Sequence, residues 1–333
     1  MKNWIARLFG GGTAAAPAEP TVARAAVAKG EAQSAAADPV TPARPKGQDL
    51  WHCLTAGAAA SAPTPQALAH AQLVLTELDR LIEAPSDAEG LVPRVPEVVP
   101  QLLRSLRDED ASSADLARLV ARDPSLVAEL IREANSPFYR PSSQVRTIDA
   151  ALLVLGRNGL RMLIARAAFR PLIGMQGGRH SRQAGPRLWN HTENCALAAS
   201  LLASTYRADP FEAYLAGLMD DLGLIVAFRL FDSVLEADAL PQDPVFVDAL
   251  LARTRTLAAR IAMQWEMPPP IAAAILGAAD PAPATGLASA LLEAERLACL
   301  RMMLDQGVQD ADYPAADDGK DERARVFERL VGP

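Results

Sequence analysis

The chain has 333 residues, 50% of them hydrophobic and 22% charged, with a net charge of −7. This is enough apolar mass for one large or two modest cores, and no apolar run is long enough to cross a bilayer. An acidic balance is a poor match for the phosphate backbone of nucleic acid. Cys53, Cys195 and Cys299 lie far apart and odd in number, so they form no zinc spacing, redox pair or disulfide framework and fit a reducing cytoplasm.

Aromatic residues make up only 5%, and Ala and Leu dominate. These are helix formers, and β-branched runs are scarce, so an all-α protein is expected.

Residues 1–12 stand apart. Trp4, Ile5, Leu8 and Phe9 share one helical face, Lys2 and Arg7 lie elsewhere, and Gly10-Gly11-Gly12 ends the pattern. The segment reads either as an amphipathic hook for a membrane surface or partner groove or as a frayed terminus. Residues 13–48, rich in Ala and Pro and without hydrophobic periodicity, read as a disordered linker. In the region 49–89 the spacing of Leu68, Ala71, Leu75, Leu78 and Ile82 predicts a helix over 66–83 that docks on the body.

The body begins near Leu91. Val98, Val99, Leu102, Leu103 and Leu106 predict one helix; Ser112 or Ser113 caps the next, through Leu116, Leu119 and Val120. Asp123-Pro124 is a helix start, because the carboxylate accepts from free amides and Pro124 lacks only a donor that would be unpaired anyway. That helix runs to Ala134 and stops at Asn135-Ser136-Pro137. A further helix covers 147–155 and ends at Gly156, and Asn158 caps another over 159–169. A Gly- and Arg-containing loop, 174–186, then divides the body into a first half, 90–173, and a second, 186–307. The second half is read as helices at 187–206, 210–220, 222–237, 244–264, 268–279 and 286–305. Residues 308–333 are a polar loop and a short last helix at 321–331.

Asp123-Pro124-Ser125-Leu126, Asn135-Ser136 followed by Tyr139, and Ala150 to Gly156 resemble the HDOD domain of bacterial signalling proteins. So do Leu188-Trp189-Asn190-His191, the run Ala213 to Gly223, and Gln264-Trp265-Glu266-Met267-Pro268. The resemblance covers about residues 90–300. It implies an HDOD-like multi-helix bundle in two halves, the second like an HD-type metal phosphohydrolase. It also implies a regulatory role, since that family generally lacks the full metal site.

An HD-type site needs imidazoles and a carboxylate converging on a divalent ion. By the resemblance, His191 stands at the first histidine position, Asp220 replaces the histidine of the His-Asp pair, and Asp221 keeps its aspartate. Thr254 falls at the next histidine position, Gly277 or Ala278 at another, and Glu295 matches a distal acidic position loosely. One imidazole and scattered carboxylates are a poor donor set, so no metal, no cofactor and no catalysis are expected.

Asp221 and His191 both fall on inward faces, where each would be costly to bury alone. They are therefore expected to contact each other. Caps and helix stops account for Asp123, Pro124 and Asn135; Trp189 and Trp265 read as core anchors, and Cys195, one turn after His191, as packing. Gly10-Gly11-Gly12 and Gly177-Gly178 lack the strand that a phosphate-binding loop requires.

The leading reading is thus a non-catalytic signalling module with a protein partner, cytoplasmic and peripheral to a membrane if the hook engages one. The alternatives are a divergent metal-dependent phosphohydrolase and a DNA-binding regulator. The latter would use helices 147–155 and 159–169 as a helix-turn-helix, with Arg157, Arg161, Arg166 and Arg170 on phosphates. The acidic body and the apolar second helix count against it.

Overall fold

A computed structural model describes residues 47–55, 65–84, 91, 117–118, 120–121, 123–136, 139, 141–173, 177–234, 240–280, 285–308 and 321–330. The amphipathic segment 1–12, the linker to residue 46, the helix through Val98 to Leu106 and the caps at Ser112 and Ser113 lie outside these residues. Among the described residues there are eleven helices and no strand, so the expected all-α class holds.

The first helix, α1 (Gly47–Thr55), corrects the linker boundary at 48. It is too short for periodicity to reveal, but it buries Trp51, Cys53 and Leu54. Trp51 stacks on Phe228 at 5.5 Å and donates its indole N–H to the Pro241 carbonyl at 2.9 Å. The docking helix α2 (Pro65–Glu83) forms as predicted. Ala71, Leu75 and Leu78 are buried, and Val74 and Leu81 widen the stripe.

Helix α3 (Pro124–Ala134) starts on Asp123, whose Oδ1 accepts from Leu126 N at 3.4 Å. Asn135 does more than stop it. Its amide donates to the carbonyls of Ile131 and Val145, and its Oδ1 accepts from Val145 N at 2.9 Å, tying the exit of α3 to the approach of the next helix. Helix α4 (Ile148–Ile173) is broken at Gly156, whose φ of 67° is left-handed. A residue without Cβ takes this conformation at little cost, so the predicted stop is real.

The predicted loop 174–186 is largely helix. Helix α5 (Arg179–Leu202) starts eight residues before the predicted start and contains Pro186. Its cap comes from a distant element: Asp232 accepts from His180 N at 2.7 Å and Ser181 N at 3.1 Å. Local sequence carries no trace of that partner, and Pro186 imitates a helix start. At the other end α5 stops at Leu202, short of the predicted 206, in a turn where Arg207 has φ 55°.

Helices α6 (Pro210–Asp220), α7 (Leu222–Val234), α8 (Pro244–Gln264), α9 (Pro269–Gly277), α10 (Gly286–Asp305) and α11 (Glu322–Phe327) follow close to the predicted spans. Asp209, Asp243, Thr285 and Asp321 cap α6, α8, α10 and α11. Helix α6 is the centre of the body, packed by α4, α5, α8, α9 and α10. Its closest approach is to α5, where a Cβ on Gly217 would lie 2.6 Å from Ala196 Cα. That approach brings the middle of α5 to the end of α6.

Candidate buried polar site

His191 lies on α5 and Asp221 at the junction of α6 and α7. A single residue separates the two helices, and its φ/ψ of −83°/0° turns the chain there. His191 Nδ1 is 2.9 Å from Asp221 Oδ2, and both side chains are almost fully buried. The expected contact is direct. Because the partner atom is a carboxylate oxygen, Nδ1 carries the proton. Thr192, the next residue, places its hydroxyl 2.7 Å from the same Asp221 oxygen and 2.8 Å from the Leu188 carbonyl. Burial alone would push the imidazole down; the charge and hydrogen bond of Asp221 more than offset it, and the net direction is up. His191 Nε2 is buried and has no hydrogen-bond partner among the described residues.

The second half of the site is centred on Arg255, from α8. Its guanidinium pairs with Glu295 of α10: Nη2 donates to Oε2 at 2.9 Å, and Nη1 lies 2.8 Å from Oε1, an oxygen that is buried without a hydrogen-bond partner among the described residues. Nη1 also lies 3.8 Å from Asp220 Oδ1. The Asp220 carboxyl is held well above the usual carboxylate range. Burial is the first cause, Glu295 and Asp221 add to it, and Arg255 opposes it. Cys195 is buried beside these groups, and burial followed by the charges of Glu295, Asp220 and Asp221 pushes its thiol well up. It is a packed, protonated thiol.

Of the positions singled out in the sequence, His191 and Asp221 belong to the first cluster of this site and Asp220 and Glu295 to the second. Thr254 does not join it: its hydroxyl turns back to the Leu251 carbonyl at 3.0 Å, and its backbone serves as the surface on which Gly223 packs. Trp265 is buried and meets Phe169 edge-on at 6.0 Å, whereas Trp189 is only partly buried at the rim of the core. Pro268 is the residue before α9. Thr192 and Arg255 were missed by sequence reasoning. Each directly follows a position singled out by its spacing, but the neighbours they meet come from other helices.

Two of the four arginines proposed for DNA phosphates, Arg161 and Arg166, are engaged elsewhere. Arg161 is buried, with its guanidinium 5.8 Å from the Phe211 ring centre. Arg166 binds Glu129, Glu133 and Glu193 at 2.8, 3.2 and 3.1 Å, joining α3, α4 and α5.

A family model for the HDOD domain matches residues 92–281. A curated protein of Treponema pallidum (strain Nichols), described as uncharacterized, is 24% identical over 208 residues, 60% of this chain; the match spans only 39% of that protein's length. Three solved structures share the fold. An HDOD domain protein of unknown function from Geobacter sulfurreducens has a TM-score of 0.55 at 23% identity, covering 78% of this chain and 89% of that one. A protein named provisionally as a metal-dependent phosphohydrolase, from Shewanella amazonensis SB2B, has 0.54 at 17% identity, covering 78% and 97%. One named provisionally as a signal transduction protein, from Marinobacter aquaeolei VT8, has 0.51 at 21%, covering 85% and 62%. No helix among the described residues is long and apolar enough to cross a membrane.

Proposed function

The chain belongs to the HDOD domain family, and we propose that it is a non-catalytic regulatory module of bacterial signal transduction that works by contact with a protein partner. The observation that carries this reading is the use of Asp221. The carboxylate that an HD-type site would turn toward a metal is engaged on one oxygen by both His191 and Thr192. With Asp220 in place of a second imidazole, the remaining donors are few and divided between two clusters. No group of three His, Cys, Asp or Glu side chains among the described residues is arranged to hold one ion.

On this reading the helical body presents a surface, and residues 1–9 add a second contact, to a groove on the partner or to the membrane beside it. A cytoplasmic location belongs to the same proposal. Nucleic acid is disfavoured, since Arg161 and Arg166 are committed within the fold and the chain is acidic.

One observation favours a second reading, a divergent metal-dependent phosphohydrolase: His191 Nε2 is buried and unpartnered, as a ligand atom would be without its ion. Metal analysis of the purified full chain, with phosphatase assays in Mn²⁺ and Mg²⁺, separates the two. The module reading expects no stoichiometric metal and no turnover. Stoichiometric metal with activity lost in Asp221→Asn would establish the enzyme. Affinity capture from the native cell, with and without residues 1–12, then tests the partner.

A further inference from the structure

We propose that Arg255 is a tethered cation: its guanidinium supplies the positive charge that a divalent ion supplies in an HD-type site, and keeps such an ion out. This rests on the non-catalytic reading and extends it, by giving Arg255 a part in the exclusion of metal beside the sparse donor set.

The geometry carries the inference. By the sequence resemblance, Asp220 stands where the His-Asp pair has its histidine, and Glu295 loosely matches a distal acidic position. Arg255 reaches both, Glu295 through a hydrogen bond to Oε2 at 2.9 Å and an ion-pair contact with Oε1 at 2.8 Å, and Asp220 at 3.8 Å. Its charge also acts on His191 and Asp221, the other two positions. One guanidinium therefore lies in the field of all four. It is held there from several sides: α8 carries it, α10 supplies Glu295, and the Ile275 carbonyl of α9 is 3.5 Å from Nη1.

An arginine cannot vacate this role by losing its proton. A divalent ion at the Asp220–Glu295 pair would stand a few ångströms from a fixed positive charge inside a weakly screening interior. Conversely, removing Arg255 would leave Glu295 buried beside Asp220 with no counter-charge.

The test uses the full chain as wild type, Arg255→Met, Arg255→Lys and the double variant Arg255→Met/Glu295→Gln, with Mn²⁺ alone as the probe, dosed to millimolar concentration because the donors are few. Thermal unfolding and bound metal after dialysis are the readouts. The wild type and Arg255→Lys should show no Mn²⁺-dependent rise in Tm. Arg255→Met should lose Tm and regain part of it with Mn²⁺. The double variant should regain Tm without any metal, since the stranded charge is gone. The double variant also covers the case in which Arg255→Met does not fold.

Either of two results overturns the inference: Arg255→Met indifferent to Mn²⁺ when folded, or a double variant no more stable than the single. Stoichiometric Mn²⁺ in the wild type with Arg255 intact overturns it as well. Phosphatase activity in the wild type is a separate outcome, which would overturn the proposed function. An inactive wild type with an Mn²⁺-insensitive Arg255→Met leaves that function standing and removes only the tethered cation.

Discussion

Gly223 lies so close to Thr254 that a Cβ on it would fall 1.8 Å from the Thr254 carbonyl oxygen. The contact seats the start of α7 on the middle of α8. Two residues before Gly223 is Asp221, and one residue after Thr254 is Arg255, so a single glycine sets the distance between the two halves of the polar site. The obstacle is backbone, which cannot swing aside as a side chain can. Gly223→Ala is expected to cost about 3 kcal/mol or more by overpacking, read as a lower urea midpoint. Gly217→Ala, which would press on Ala196 Cα, should behave in the same way.

The His191–Asp221 pair predicts a pH dependence with a definite sign. Against burial, which lowers it, Asp221 raises the imidazole above its ordinary 6.5. The folded chain therefore holds this proton more tightly than the unfolded chain. The resulting stabilisation is complete below the unfolded value and is lost as the pH rises through the folded one. The Tm difference between wild type and His191→Gln should be largest below pH 6.5 and should shrink as the pH rises. A difference that stays flat would contradict the pair.

Asp220 predicts the companion behaviour. Burial first, then Glu295 and Asp221, hold its carboxyl above the ordinary 3.8, against Arg255. The folded chain keeps a proton that the unfolded chain releases, so this group's contribution falls as the pH climbs from 3.8 toward the raised value. Asp220→Asn is permanently neutral. Its Tm should gain on the wild type with rising pH and equal or exceed it at neutrality, measured by thermal melts across that range.

Arg166 should be costly to remove. Its guanidinium separates three glutamates from α3 and α5, and without it Glu129, Glu133 and Glu193 face one another. The group is partly exposed, which lowers the figure, and a loss on the order of 2 kcal/mol is expected for Arg166→Met in chemical denaturation. Adding Glu193→Gln should recover part of it, because burial already raises that carboxyl against the pull of Arg166.

Trp51 should anchor α1. It is fully buried, stacked on Phe228 and bonded to Pro241. Trp51→Ala is expected to lose about 3 to 5 kcal/mol. Limited proteolysis should then cut between α1 and α2 faster than in the wild type.

Much of the fold was legible from local chemistry. Asp-Pro at 123–124 set the start of α3, and Gly156 set the break in α4, because caps and left-handed turns act over a few residues. Helix α5 was misplaced because its cap is Asp232, some fifty residues on. Helix α1 was missed because it is short and its reason to be helical, the Trp51 stack on Phe228, lies in α7.

The candidate site divides in the same way. Inward faces on two helices were enough to pair His191 with Asp221, since neither group can be buried alone. Sequence also determined the helical class, through composition and hydrophobic periodicity, and the family, through motifs such as Leu188-Trp189-Asn190-His191 and the run Ala213 to Gly223. Tertiary structure alone decided that Thr192 shares the Asp221 oxygen, that Thr254 turns away, and that Arg255 reaches across to Glu295 and Asp220. Periodicity tells which face of a helix is buried; which groups from other helices meet it depends on how closely the backbones approach, and here glycines at 217 and 223 set that approach.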